Sequence, residues 1–297
     1  MDKLKALQTF IAIVDSGSLT AAADALGSSL PAVVRTLAAL ESQLGVRLLN
    51  RTTRRLSLTE DGRQYLERAR RIVADVDEAD RSLATQQAEP AGSLNVTAPV
   101  LFGQYHVAPA VTRFLQRYPQ TRVNLVLLDR VVNLIEEGLD VGVRIGHLHD
   151  STLIAQTVGH IRRVVVASPA FLRRHGTPRH PRELVQAACV HRDGPDGNHW
   201  TFRDPAGGRA FSVTMQGRLE CNLAAPMLEA CAAGLGFARC LSYQAAPLVA
   251  AKRLRIVLAD YEVEPWPLSL TYPSARLLPS RTKVFIEWMK QELRGVG

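Results

Sequence analysis

Residues 18–62 (SLTAAADALGSSLPAVVRTLAALESQLGVRLLNRTTRRLSLTEDG) constrain the fold more than any other stretch of the chain. Ser18 stands where a hydroxyl caps a short helix, with Leu19, Ala22, Ala23 and Leu26 on one face. Gly27 ends that helix, because glycine tolerates the left-handed conformation just past a helix C-terminus. Ser28 or Ser29 caps a second helix, and Pro31 falls in its first turn, where a missing N–H costs nothing. Along this second helix Val33, Leu37, Leu40 and Leu44 form one side, while Pro31, Val34, Arg35 and Ala38 form the other. A short helix, a glycine-marked turn and a second helix with a small-residue outer face is the arrangement that puts a helix into a DNA major groove. Periodicity alone also allows an ordinary helical hairpin. The residues after Gly45 favour the groove reader. There VRLLNRTTRRLSLT alternates in character and carries Arg47, Arg51, Arg54 and Arg55. Two short strands with a basic turn make a wing whose cations displace counterions from phosphates.

These residues carry a resemblance. FIAIVDSGSLTAAADAL from Phe10 and SLPAVVRTLAALESQLGVRLLNRTTRRLSLTEDGRQYL from Ser29 make residues 4–72 similar to the N-terminal domain of the LysR-type transcriptional regulators. The remaining chain follows that family's effector-binding half in length and order. One departure is Val34, where the family often has a small polar residue, and it bears on base reading. The candidate DNA contacts are Ser18, Thr20, Ser28, Ser29, Leu30, Pro31, Val34 and Arg35 on the hairpin, with Arg51, Thr52, Thr53, Arg54 and Arg55 on the wing.

The expected division is a winged helix-turn-helix at 1–58, a linker and dimerisation helix at 59–88, and an effector-binding domain at 89–297. Residues 4–15 make a helix behind the reading hairpin, with Leu4, Leu7, Phe10, Ile11 and Val14 as its apolar stripe. Residues 59–87 read as one charged helix whose Tyr65, Leu66, Ala69, Ile72, Val73, Val76, Ala79 and Leu83 recur at spacings of three and four. Such a seam suits pairing with a second copy, or docking on the chain's own effector domain. Two copies reading symmetric half-sites also multiply specificity. Glu89-Pro90-Ala91-Gly92 breaks the helix.

Beyond this break the pattern becomes α/β. Strands are expected at 93–98, 122–129, 140–146, 162–169, 215–220, 237–242, 254–258 and 267–272. Helices are expected from Pro99, at 131–138, 171–176 and 223–236, and from Arg281 to Leu293, with a turn-rich stretch up to about residue 212. Alternating strands and helices imply parallel sheets in two lobes, the first about 92–161 and 266–297, the second about 162–265. The whole resembles a periplasmic-binding-protein-like, two-lobed effector domain behind an all-α winged helix-turn-helix.

Ligands of open α/β sheets sit at strand C-termini, where helix N-termini point. Three such places stand out: Thr97-Ala98-Pro99-Val100, whose helix start suits an anion; Arg144-Ile145, where a guanidinium meets an anionic effector; and Asn222, which either caps the following helix or donates to a ligand. His199, between Asn198 and Trp200, is a candidate wall from the second lobe.

A net charge of +8 favours an acidic partner, here double-stranded DNA. No apolar run of membrane-spanning length and no secretory leader is evident, so the expected location is the cytoplasm. The four cysteines share no CxxC spacing and read as buried thiols; His147, His149 and His160 lack zinc-like spacing. Neither a nucleophile motif nor a phosphate loop nor a dinucleotide fingerprint is present, and neither an enzyme, a cofactor nor a bound metal is expected. The expected function is sequence-specific transcriptional regulation in response to a small anionic effector. A small-molecule binding protein or a non-specific DNA binder is the alternative. The resemblance further implies a homodimer pairing into a homotetramer, and action through RNA polymerase.

Overall fold

The computed structural model describes residues 2–51, 56–84, 89–147, 153–192, 197–274 and 278–296. The chain divides into two compact units, Met1–Ser93 and Leu94–Gly297.

In the first unit, α1 (Lys3–Ser16) starts where the Asp2 carboxylate accepts from Lys5 N at 3.1 Å. Helix α2 (Leu19–Ala25) starts where Ser18 Oγ accepts from Ala21 N at 3.1 Å. Gly27, at φ 57°, then turns the chain in a conformation costly for a residue with a Cβ. Helix α3 (Leu30–Leu44) has Ser29 at its cap position without a side-chain hydrogen bond, and Pro31 in its first turn. Leu37 and Leu40 of α3 are fully buried with Phe10 and Ile13 of α1 and Ala22 of α2. Each such leucine contributes about 1.5–3 kcal/mol of burial. The wing comes next as β1 (Leu49–Arg51) antiparallel to β2 (Leu56–Leu58), with Leu49 opposite Leu58 and Arg51 opposite Leu56.

Helix α4 (Glu60–Ala84) has 25 residues, about 38 Å at the helical rise. Its first turn is tied down by Thr59, whose Oγ1 donates to Arg47 O at 2.7 Å and accepts from Gly62 N at 2.9 Å. A Cβ at Gly62 would lie 2.0 Å from the Leu48 carbonyl oxygen, so only glycine fits that approach. Leu66 and Ala69 of α4 are buried in the same core as α1 and α3, whereas Ile72 is 48% exposed. The N-terminal half of the apolar seam is therefore spent on the chain's own helical core. That narrows what the seam leaves for a second copy. Side chains from 77 to 84 lie outside the described residues.

The second unit runs β3 (Gly92–Ala98), α5 (Val100–Phe102), a π turn (Gly103–Val107), α6 (Ala108–Arg117), β4 (Thr121–Leu127), β5 (Val141–Ile145) and β6 (Leu153–Ile161). It continues with β7 (Arg163–Ala167), α7 (Pro169–His175), a 3-10 turn, β8 (Ala188–Arg192), β9 (His199–Arg203), β10 (Ala210–Thr214), β11 (Gln216–Cys221), α8 (Ala224–Ala232), β12 (Phe237–Leu241), α9 (Ser242–Ala250) and β13 (Arg255–Val257). Finally β14 (Trp266–Pro273) and α10 (Ser280–Glu292) close the chain. The strands build two five-stranded sheets, ordered β4-β3-β5-β14-β6 and β11-β8-β12-β7-β13, with β9 and β10 as a separate hairpin.

Three expectations from the sequence are corrected. The sheets are mixed: β3 runs parallel to β5, but β14 is antiparallel to both β5 and β6, and β7 is antiparallel to β12 and β13. The reason is the path of the chain, which enters the second sheet from β6 and returns through β14. Residues 131–138 form no helix, only irregular chain followed by turns at 134–138. Asn133 Oδ1 accepts from Ile135 N at 3.1 Å and Gly138 takes φ 63°, so local side-chain bonding and an early stop defeat a nucleus that short. The stretch before residue 212 holds three strands, including β8, which lies between β11 and β12.

Burial follows the strand period. In β7, Val164 and Val166 face one core with Met227, Leu228 and Cys231 of α8, while Val165 and Ala167 face another with Phe171, Leu184 and Trp200. A sheet covered on both faces reads as an unbroken apolar run, as RVVVA does. The first sheet is capped by α6 and α10, where Phe114 meets Phe285 edge-on at 5.0 Å. Among the described residues no single helix is long and apolar enough to cross a membrane.

Candidate functional sites: a groove-reading helix and an arginine-lined cleft

In the first unit, α3 turns Pro31, Arg35 and Ala38 outward, with Val34 half-buried beside them. The apolar side of the same helix fixes that orientation, since Val33, Leu37 and Leu40 are anchored in the core. Thr20, Ser29 and the 41%-exposed Leu30 are also on the surface, and Ser28 is half-buried. Ser18 is exposed, but its oxygen is engaged in capping α2. Arg51 ends β1; its side chain, with Thr52, Thr53, Arg54 and Arg55, lies outside the described residues.

One residue unremarked in the sequence ties wing to helix. Glu41 Oε1 accepts from Leu48 N at 2.9 Å and from Leu49 N at 3.2 Å. A carboxylate one turn from a helix C-terminus is disfavoured by the helix dipole. The two amides of the wing compensate for its place there. A charged residue in that unfavourable position was the available signal.

In the second unit the two sheets face each other across a cavity of about 540 Å³, within the range of small-molecule sites. Among the described residues five arginines line it (Arg130, Arg144, Arg163, Arg192 and Arg239), with one carboxylate, Asp129. Two tryptophans hold two of them: the Arg163 guanidinium lies 4.4 Å from the Trp266 ring centre and that of Arg239 5.7 Å from the Trp200 ring centre. Arg239 Nη2 also donates to His199 O at 3.3 Å. Arg130 is bound in a fork by Glu137, at 2.8 and 3.3 Å. Arg144 projects from β5, and its Nη2 is buried without a hydrogen-bond partner among the described residues. Burial pulls its pKa below the usual arginine value, and Glu137 opposes that shift. A guanidinium still stays charged at neutral pH, so Arg144 is a partly desolvated cation in the cavity wall.

The chain crosses between the sheets twice, at Arg162 between β6 and β7 and on the approach to β14. Arg162 on the first crossing is forked onto Glu262 on the second, at 2.8 and 2.7 Å. This pair raises the Arg162 pKa through its hydrogen bond and joins the two crossings.

The candidate effector residues fare unequally. Pro99, Arg144 and Ile145 line the cavity. Thr97 and Ala98 are fully buried, and neither they nor Val100, His199 or Asn222 are among the lining residues. At the helix start after Thr97-Ala98-Pro99, the Val100 N–H donates to Asp129 Oδ1 at 3.0 Å. A carboxylate of the protein already takes that N–H. Asn222 does not cap α8; Leu223 is the cap residue and makes no side-chain bond. The exposed His199 ring contacts Asn198 Oδ1 at 2.8 Å. The cavity face of the β9–β10 hairpin comes instead from its neighbour Trp200. Missed in the sequence were Arg163, Arg192, Arg239, Trp266 and Tyr243. A charged residue in an otherwise apolar strand, first in RVVVA and central in FARCL, was the signal for two of them.

Tyr243 is buried against Phe102 edge-on at 5.1 Å, and burial raises its pKa. All four cysteines are free, and burial pushes Cys189 and Cys231 up to about 12. Among the described residues no cluster of three or more His, Cys, Asp or Glu could hold a metal. His149 lies outside them.

Comparison with known proteins decides the family. Residues 4–63 match the bacterial regulatory helix-turn-helix protein, lysR family, and residues 87–294 match the LysR substrate binding domain. The chain belongs to the LysR family. It is a helix-turn-helix transcriptional regulator with an effector-binding domain. Among LysR-family relatives, an HTH-type transcriptional repressor of Pseudomonas aeruginosa is 35% identical, over 98% of this chain and 92% of its own. The regulator CrgA of Neisseria meningitidis is 34% identical over 97% of this chain and 96% of its own. The solved structure of CrgA, described as a LysR-type transcriptional regulator, superposes with a TM-score of 0.62 and covers 97% of this chain and 98% of its own. Full-length AphB, the Vibrio cholerae virulence activator, gives 0.61 at 25% identity, over 96% and 98%.

Proposed function

We propose that this LysR-family regulator reads operator DNA with the outward face of α3 and the wing, and that a small anionic effector in the arginine-lined cleft sets its output. The observation that carries the effector reading is the buried Nη2 of Arg144, without a hydrogen-bond partner among the described residues, in a cavity that those residues line with five arginines and one aspartate. Leaving such a cation buried and unpaired is costly, and an anion with two acceptor oxygens relieves it. Pro31, Val34 and Ala38 suit thymine methyl groups, and Arg35 is the long donor of that face. The active form is a homodimer, assembled into a homotetramer, with the exposed Ile72 of α4 as part of the apolar surface left for a partner copy. It acts in the cytoplasm, on transcription by RNA polymerase, and carries out no catalysis. The binding unit spans 1–58, the linker helix 59–88 and the two-lobed effector domain 89–297.

The test is Arg144→Ala in the full-length protein, read by reporter transcription and by DNA-binding anisotropy. Effector response is lost while operator affinity is unchanged. Loss of DNA binding itself makes Arg144 a structural residue and removes the reading. A salt titration of operator against random DNA accompanies it: a preference that persists as non-specific binding fades marks a specific reader.

A further inference from the structure

His191 of β8 is not among the residues that line the cavity, but it touches one that is. Its ring lies edge-on to Trp200, with centres 6.1 Å apart, and Trp200 is part of the cavity wall. The residue is 7% exposed, and neither ring nitrogen has a hydrogen-bond partner among the described residues. The imidazole is seated on Gly217 of β11, where an added Cβ would stand 2.1 Å from His191 Cδ2 and 2.3 Å from Nε2. Only glycine leaves that seat open. The sheet sets the charges around the ring. Glu220 of β11 is its registered neighbour on one side and is exposed. On the other side Arg239 follows Ala238, which is registered with Val190. The Arg239 guanidinium lies 5.7 Å from the Trp200 ring centre and donates to His199 O. Arg192 on its own strand and Arg218 on β11 are exposed, and burial keeps the Cys189 thiol protonated. Helix α8 packs against Val190 on the opposite face, and Asp193 and Asp196 lie outside the described residues. Burial disfavours the charged form of His191, and the Glu220 charge opposes that.

From this arrangement we propose that His191 is a proton-operated switch behind the cleft wall: once protonated, its ring leaves Gly217 and Trp200 for Glu220, and Trp200 opens to solvent. A neutral imidazole leaves one donor and one acceptor unmatched in this site. An imidazolium leaves two donors and a charge, which a buried position without partners does not hold. The registered carboxylate of Glu220 offers both an acceptor and a countercharge at the edge of the sheet. Trp200 is the ring on which Arg239 lies, so its displacement alters the cavity wall at a tryptophan and an arginine together. The cavity of the acid form therefore differs from that of the neutral form, and effector affinity becomes dependent on pH. That last consequence rests on the effector reading above, whereas the switch itself does not.

The test is fluorine NMR of the full-length protein labelled with fluorotryptophan, in which Trp200, Trp266 and Trp288 are assigned by single Trp→Phe variants. The isotope shift between light and heavy water reports how far each ring is exposed. Trp200, 2% exposed, shows almost none at neutral pH. It gains one as the pH falls to about 5, with a midpoint below the ordinary histidine value of about 6.5. Trp288, packed edge-on to Phe114, keeps its own shift throughout. His191→Phe abolishes the change at Trp200, and Glu220→Gln moves its midpoint to lower pH, because the charge that favours the imidazolium is gone. Gly217→Ala drives the ring from its seat and exposes Trp200 already at neutral pH. Trp200 protected down to about pH 5, or exposed with the same midpoint in His191→Phe, overturns the switch. So does exposure of all three tryptophans together, which is unfolding. A Trp200 resonance that moves without gaining an isotope shift senses charge alone and overturns the displacement. No effector is needed for these measurements, so their failure leaves the anionic-effector reading standing.

Discussion

Glu41 offers the sharpest test of how the reading head is held. Its Oε1 accepts from two consecutive backbone amides, Leu48 N and Leu49 N, where α3 gives way to the wing. Leu48 and Leu49 are 0% and 1% exposed, so water does not readily replace a lost acceptor. An orphaned buried donor costs about 1–3 kcal/mol. Two partly buried amides therefore make Glu41→Ala cost about 2–4 kcal/mol, against a gain of a few tenths from alanine's helix propensity. Glu41→Gln keeps a neutral acceptor and costs about 1 kcal/mol, the usual difference between charged and neutral hydrogen bonds. Amide hydrogen exchange reads the effect directly. In Glu41→Ala the Leu48 and Leu49 amides exchange about 30- to 1,000-fold faster, by the rule of tenfold per 1.4 kcal/mol, while the Leu37 and Leu40 amides change less. Operator affinity falls with them, because the wing loses its register to α3. Unchanged protection at Leu48 and Leu49, or equal damage from Gln and Ala, refutes the reasoning.

Other expectations rest on single contacts. Arg35→Ala lowers operator affinity by about 1–3 kcal/mol with sequence dependence if Arg35 reads a base edge; an equal loss on every sequence, in anisotropy titrations, assigns it to phosphate. At Gly236 an added Cβ would sit 2.3 Å from the Ala188 carbonyl oxygen, which is backbone and cannot swing aside. Gly236→Ala therefore costs about 1–3 kcal/mol by overpacking the junction of α8, β8 and β12, visible as a lower urea midpoint; an unaltered midpoint is the contrary result. The His191 ring is buried beside Trp200 with neither nitrogen hydrogen-bonded among the described residues, and burial lowers its pKa although the Glu220 charge opposes this. The unfolded chain thus binds the proton more readily, so stability is full above the ordinary histidine value near 6.5 and declines as pH falls below it. His106 shifts in the same direction by burial. His191→Phe makes urea midpoints measured between pH 7 and 5 less steep, and an identical slope counts against His191.

How much of this was readable from residues depends on the range of the interactions. The first unit is local: caps at Ser18, a glycine at 27, a proline at 31 and two helical stripes specify it within one stretch of chain. In the second unit, β7 and β12 announce themselves by apolar runs. The β9–β10 hairpin carried a period-two signal, with Trp200, Phe202 and Val213 buried, around the turn residues Asp204 to Gly208. It was obscured by its polar alternate positions. Strand β8 has only a short apolar run, and its identity comes from being hydrogen-bonded on both sides. No local pattern encodes that. The cleft obeyed the same division. Arg144 could be found because it ends a recognisable strand. The Arg163–Trp266 and Arg239–Trp200 stacks join residues distant in sequence, and only the fold brings them together. The strand end before Val100 was legible, but not that Asp129, supplied by another loop, takes the Val100 N–H.

The position of β14 between β5 and β6 has a consequence for biogenesis. Lobe I's sheet is assembled from segments on either side of an entire intervening lobe, and its two halves meet only through residues 266–273. On the ribosome, the helical reading head and every strand of the other sheet emerge before that bridging strand exists. Until then β5 and β6 each present a bare edge, the kind of edge that invites pairing with foreign strands. A chain that stops short of residue 266 thus retains a complete reading head attached to an aggregation-prone remnant, so translation must finish before this regulator has a sensor at all.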